Sequence, residues 1–312
     1  MKKVLAVGTI VLAAVILAFV TGVGPGSTLV DPGRYIVEAK DVVKLLKNEQ
    51  VVLVDMQESA AYAAGHIDGA VNIERNEVVI NTPYPNLLAP QAQVAQVLGS
   101  RGIDRETTVL IYDDSNNMDA ARLWWTMMVY GHENVSVVSG GFEALKQAGL
   151  PVSVEVPAVT AKIYEAGEID RSLLAAMEDV EAQVKDPQDD IILLDTRTRD
   201  EYTSGTIPGA LLVDYSENIF DDGTYKPVQQ ILINYKNKGI TADKEIIVFC
   251  AVSVRGSQTL LALYNAGYRN VKLYDAAWVE YSDVGFFPES DDVPVEGGPA
   301  PQAPAAPSGG CS

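Results

Sequence analysis

The sequence predicts two α/β domains in tandem, each a mainly parallel sheet flanked by helices. Three observations carry that prediction. At 312 residues the chain is too long for one small domain and suits two of ordinary size. Short β-branched runs alternate with helical stretches, the pattern of strands joined by helical crossovers. Four blocks of sequence also recur in the same order about 140 positions apart, which marks a duplication.

In chain order, residues 1–27 come first. Lys2 and Lys3 precede a run from Val4 to Val30 without a charge, apolar from Val4 to Val20. This reads as a secretory signal peptide or an N-terminal membrane anchor, and either leaves the rest of the chain exported, in the periplasm or on the extracytoplasmic face of the membrane. Domain one is expected over residues 30–152. In it Val51–Asp55 (VVLVD), Thr108–Tyr112 (TVLIY) and Val135–Val138 (VSVV) read as buried parallel strands, and Val37–Lys47, Gln91–Leu98 and Ala120–Tyr130 as helices. Trp124, Trp125, Met127 and Met128 on the last of these are read as core packing.

Domain two is expected over residues 158–288. Its Ile191–Tyr202 (IILLDTRTRDEY) answers Val51–Tyr62 (VVLVDMQESAAY), and SGTIPGA answers AGHIDGA. EIIVFCAVSVRGSQTLLA answers TVLIYDDSNNMDAARLWW with Asp113 opposite Cys250, and GYRNVKLYDAAWVEY answers GHENVSVVSGGFEAL. Residues 289–312, rich in proline, alanine and glycine, read as a flexible tail.

Composition narrows the function. The 23 Lys and Arg against 42 Asp and Glu give a formal charge of -19, which repels phosphate backbones and argues against nucleic acid as a partner. Two cysteines and two histidines exclude zinc-finger repeats, cysteine-ligated iron–sulfur clusters and a disulfide scaffold; no metal and no cofactor is expected. Cysteine chemistry therefore falls to Cys250 or Cys311. Cys311 lies in the tail, where it is an incidental thiol, a second acceptor thiol, a mixed-disulfide site or a ligand, and the sequence leaves these open.

Cys250 directly follows the strand run IIVF, where ligands gather in α/β folds. A short strand-to-helix turn there can curl the N–H groups of Ala251, Val252, Ser253, Val254 and Gly256 around an anionic sulfur, and Arg255 can add positive charge at the rim. Attack on a phosphate ester or on a sulfane sulfur would suit such a thiolate. The spacing is Cys-x4-Arg, one residue short of the phosphatase Cys-x5-Arg, and a smaller loop favours a terminal sulfur atom. Both histidines, His66 and His132, fall in the first repeat, so a Cys–His pair is a poor fit.

The order and duplication of AGHIDGA, DTRTRDEY, the strand-Cys-x4-Arg loop, YGHENVSVVSGGFEAL and LYDAAWVEY resemble the tandem-domain rhodanese family of thiosulfate and 3-mercaptopyruvate sulfurtransferases. The likeness covers about residues 35–288 and implies two rhodanese-like domains, the first non-catalytic and the second catalytic. It implies that Cys250 takes a sulfane sulfur from a small sulfur-containing anion such as thiosulfate and holds it as a persulfide. A thiol, cyanide or a protein cysteine would then accept the sulfur. By the same resemblance Arg197 faces the anionic donor, while Asp195 and Glu201 support that wall. Asp113 marks a degenerate site in domain one, where Gln57 and Ala61 replace the counterparts of Arg197 and Glu201; His66, Arg122 and His132 look structural. The charge of -19 would slow the approach of an anionic donor unless Arg197, Arg199 and Arg255 make a local positive patch. Two departures stand out: Ser253 where many family loops have glycine, implying a different turn, and Thr206 where histidine is usual. The alternative to an enzyme is a non-catalytic envelope binding or thiol-redox module of the same fold.

Overall fold

The computed structural model describes residues 29–288; the expected signal or anchor over residues 1–27 and the tail 289–312 with Cys311 lie outside the described residues. Among the described residues no helix is long and apolar enough to cross a membrane.

The first half holds a five-stranded sheet of β1 (Ile36–Glu38), β2 (Val51–Asp55), β3 (Val71–Asn72), β4 (Thr108–Tyr112) and β5 (Val135–Ser139), in the order β1-β5-β4-β2-β3. The second holds β6 (Leu174–Ala175), β7 (Ile191–Asp195), β8 (Leu211–Leu212), β9 (Glu245–Phe249) and β10 (Val271–Tyr274), in the order β6-β10-β9-β7-β8. Every pairing in both sheets is parallel, and the two orders are the same path traced twice. The central strands β4 and β9 are buried apart from their first residues, which is why both read as unbroken apolar runs.

Helices flank the sheets. The first half has α1 (Ala39–Leu45), α2 (Ser59–Ala64), α3 (Gln91–Ser100), α4 (Met118–Val129) and α5 (Gly141–Gln147). The second repeats them as α6 (Met177–Lys185), α7 (Arg199–Thr203), α8 (Val228–Asn237), α9 (Val254–Asn265) and α10 (Ala277–Val284). The helix expected from Val37 starts instead at Ala39, because Ile36–Glu38 pairs with Val137–Ser139 as an edge strand too short to show a period of its own. Residues 159–170, expected to open the second domain, lie against the first. Lys162 donates its N–H to Gly99, Gly167 to Tyr130 and Asp170 to Val129, and Tyr164 is buried on His132.

The halves meet through α4 and α9. Trp124 and Tyr264, one from each helix, pack with Tyr35 at ring separations of 5.4 to 5.7 Å. Trp124, Trp125, Met127 and Met128 are buried in a core cluster that runs across both halves, as their reading as core requires. Each half also sends a short hairpin to the other: Val79–Ile80 with Leu87–Leu88 from the first, and the Ile219–Tyr225 bridge from the second.

Candidate active site

The site is built where β7 and β9 end side by side. Asp195 is in register with Phe249, so the turns at 196–198 and 250–253 are neighbours. Thr196 ties them, its N–H (2.9 Å) and its hydroxyl (3.0 Å) both donating to the Phe249 carbonyl. Cys250 follows at once and is 1% exposed. Its carbonyl accepts the Trp278 N–H at 3.0 Å, and that of Ala251 accepts the Val279 N–H at 3.2 Å.

Ser253 ends the turn and caps α9 in the left-handed region, φ +64°. That is the conformation a glycine would supply, so the turn is kept rather than changed. Its hydroxyl compensates for the side chain by donating to the Tyr274 carbonyl at 2.9 Å and to that of Asp275. Among the described residues, the N–H groups of Ala251, Val252, Ser253, Val254, Arg255 and Gly256 donate to no other protein group. The last three are orphans of a first helical turn.

The first half shows what such a turn holds. Asp113 stands in the place of Cys250 at the end of β4. Its carboxylate accepts N–H bonds from Ser115 (3.1 Å), Asn117 (2.9 Å) and Ala120 (2.9 Å). Ala120 holds the same helical position as Gly256, and Asn117 the same left-handed cap as Ser253. The nest is thus an anion site with its own anion built in. Burial pushes the Asp113 carboxyl up to about 6.

Two arginines flank the Cys250 turn, and both are paired. Arg197 is 3% exposed; its guanidinium grips the Asp195 carboxylate from Nε and Nη2 and donates from Nη2 to the Gly205 carbonyl at 2.6 Å. Trp278 covers it, with the ring centre 4.6 Å away. Thr206, at the position where histidine was expected, also donates to Asp195, at 2.8 Å. Arg197 and Asp195 therefore form a wall behind the site. Arg255 forks onto Glu201 at 2.6 and 2.7 Å. The Arg255 hydrogen bonds hold Glu201 down at about 2, helped by Thr198, whose N–H and hydroxyl donate to the same carboxylate. Glu201 in turn raises Arg255, and the nearby Cys250 sulfur adds to that. Of the three arginines weighed as a local positive patch, only exposed Arg199 makes no ion pair among the described residues. The Arg197 pairing is local, to Asp195 two residues before it, whereas Arg255 meets Glu201 across the fold.

In the first half the same wall keeps its carboxyl, Asp55, but has no guanidinium. Gln57 binds Asp55 and reaches toward the Gly65 carbonyl. The rim position of Arg255 is taken by Asp119, paired with Arg75 at the edge of a cavity of about 620 Å³. His66 is buried with both ring nitrogens at backbone carbonyls, Nδ1 on Tyr62 (2.9 Å) and Nε2 on Glu155 (3.2 Å), so it ties loops together. His132 is likewise buried against the Thr107 carbonyl. Sequence reasoning passed over Trp278, Tyr215 and Asp275 as site residues. The signal for Trp278 was its place in LYDAAWVEY; Tyr215, 5.9 Å from Arg255 across its ring, had none.

The geometry is that of a repeated fold with one cysteine-bearing turn, and a comparison of sequences decides the family. A rhodanese-like domain model matches residues 38–148 and again residues 176–283. The chain belongs to the rhodanese family. A Mycolicibacterium smegmatis protein named "Putative thiosulfate sulfurtransferase" is 31% identical over 257 residues, covering 77% of this chain and 91% of its own. The "Sulfur carrier protein TtuD" of Thermus thermophilus is 30% identical over 258 residues, covering 77% and 90%. The crystal structure of SseA from Escherichia coli, described with the rhodanese fold and 3-mercaptopyruvate sulfotransferases, superposes with a TM-score of 0.69 at 26% identity, covering 78% of this chain and 98% of its own. These rhodanese relatives make the chain a sulfurtransferase-like protein, with a sulfur donor and a sulfur acceptor as its partners in general terms.

Proposed function

We propose that the chain transfers a sulfane sulfur by way of a persulfide on Cys250. One observation carries the reading: Cys250 opens a turn whose N–H groups are committed to no protein acceptor, while the matching turn in the other half closes on the carboxylate of Asp113. A persulfide extends the cysteine by one sulfur and brings negative charge to that nest, where preset dipoles stabilise it without reorganisation.

With thiosulfate the Cys250 thiolate attacks the outer sulfur, the S–S bond of the donor breaks, and sulfite leaves with the electron pair. Cyanide then attacks the outer sulfur of the persulfide, thiocyanate leaves, and the thiolate returns. A thiol or a protein cysteine can take the place of cyanide. Thiosulfate is an anion near neutral pH and sulfite leaves without needing a proton, so the donor requires no general acid. Arg255, tethered by Glu201 within Coulomb reach of Cys250, favours the anionic forms. Residues 1–27 support action outside the cytoplasm.

The test is thiocyanate formation from thiosulfate and cyanide by the full chain, assayed in the extracytoplasmic fraction of producing cells and after purification. Activity there that Cys250→Ser reduces to background is the expected result. Equal turnover by wild type and variant contradicts the role of Cys250, and wild-type chain found only in the cytoplasm contradicts export.

A further inference from the structure

Each half braces the strand-end turn of the other, and the two braces differ in charge. At the Asp113 turn, Phe142 donates its N–H to the Asp113 carbonyl (2.8 Å) and Gly140 donates to Asn117 Oδ1 (3.1 Å). Ser139 Oγ accepts the N–H of Tyr225 from the opposite hairpin at 2.8 Å. At the Cys250 turn the same frame recurs: Trp278 N–H on the Cys250 carbonyl, the Ser253 hydroxyl on the Tyr274 and Asp275 carbonyls, and Leu88 N–H on Asp275 Oδ2 at 2.7 Å.

The exchange lies in two positions. Where the Asp113 half has Ser139, with uncharged Gln258 at the matching position of α9, the Cys250 half has Asp275, with Arg122 on α4; Gln258 makes no bond to Ser139, and its Oε1 accepts from Asn218 Nδ2 at 3.0 Å. Arg122 is fully buried, donates from Nη1 to Asp275 Oδ1 (2.7 Å) and from Nη2 to the Asn86 carbonyl (2.6 Å), and lies over the Trp125 ring. The other half holds its frame with no ion pair at these positions, through the Tyr225 N–H on Ser139 Oγ and Asn117 Nδ2 on the Gly223 carbonyl at 2.6 Å. Burying an ion pair adds little stability over a neutral one, because both charges must leave water. The charged version stands only where the cysteine stands.

We propose that Arg122, a residue of the domain without the cysteine, is a positioning residue for Cys250. Its rigid fork fixes Asp275 from across the domain interface, and the Tyr274–Val279 turn that follows hands that position to the Cys250 turn through Trp278 and Val279. Asp275 and Arg122 thereby set the place of Cys250 before any sulfur arrives, a condition for preset stabilisation of an anion. The turnover readout rests on the persulfide reading above; the structural claim does not.

The experiment uses the full chain with thiosulfate and cyanide as probes. Arg122→Gln with Asp275→Ser transplants the neutral brace. It should lower kcat by about tenfold to a hundredfold, as small displacements of a reacting group do. KM for thiosulfate should stay within about twofold, because no donor-binding group is removed. Arg122→Lys keeps the charge without the fork and should recover only part of the loss. Ser139→Ala weakens the opposite brace and should cost stability in urea while leaving kcat intact. A second readout needs no sulfur chemistry: labelling of Cys250 by a bulky neutral maleimide, followed by peptide mass, should be faster in the Arg122/Asp275 swap and unchanged in Ser139→Ala. A swap that turns over and labels like wild type overturns the proposal, as does a Ser139→Ala variant that loses kcat equally. Wild type without turnover defeats the persulfide reading instead, and the labelling arm then decides for or against the brace.

Discussion

Asp113 and Cys250 stand at the same point of a repeated fold and open strand-end turns that differ by one residue, the helix cap falling four residues after Asp113 and three after Cys250, with opposite results. A carboxylate in the nest uses the loop's N–H groups permanently; a thiol leaves them for an incoming anion. The Asp113 carboxyl is raised by burial from 3.8 to about 6, so its proton is bound more tightly in the folded chain than in the unfolded one. Its stabilising share is therefore full below about pH 4 and is lost as the pH rises through about 6, a change of about 3 kcal/mol. Asp55 shifts in the same direction, so a variant must separate the two. Urea unfolding between pH 4 and 7 should show wild type losing more stability than Asp113→Asn over that interval. Parallel curves would show that Asp113 does not titrate there. The asymmetry between Asp113 and Cys250 was legible in the sequence because the repeat aligns them. The pairing of Arg197 and Arg255 was not, because residue spacing says nothing about which way a guanidinium turns.

At the scale of elements, the turns that enter α5 and α10 repay comparison. Gly141 opens α5 with φ +55°, and a Cβ there would sit 2.1 Å from the Asp113 carbonyl oxygen. The matching residue before Trp278 is Ala277, fully buried with φ +59°. A left-handed alanine is strained by about 1–2 kcal/mol, partly offset by the lower entropy of its unfolded chain. Ala277→Gly should accordingly raise stability by about 0.5–1 kcal/mol in urea. A lower midpoint would mean that the turn is unstrained. Long apolar strands such as Val51–Asp55 and Glu245–Phe249, and the helices after them, were readable because each buries a continuous or periodic face. Two- and three-residue strands such as Ile36–Glu38 and Leu211–Leu212 were not, since only their partners define them. Ser253 could be seen as a departure from glycine; that its hydroxyl would be answered by two carbonyls from β10 and the turn after it lay beyond any local signal.

The described residues form two copies of one path that share a core cluster through Trp124, Tyr35 and Tyr264, while each half keeps a second cluster of its own. Duplication and length foretold the two sheets. They did not foretell that residues 159–170 would run along the first half, nor that each half would send a hairpin to the other. Arg197 and Arg255 spend their charge on Asp195 and Glu201, so against a net charge of -19 the N–H groups of the Cys250 turn are the principal attraction for an anion. Those donors act at contact distance, where net charge counts least. The central claim is that this turn holds a sulfur on Cys250, and intact mass of the purified full chain after incubation with thiosulfate tests it most directly. A gain of one sulfur atom that a reducing agent removes, and that Cys250→Ser does not show, is the predicted result. An unchanged mass, or the same gain in Cys250→Ser, would contradict it.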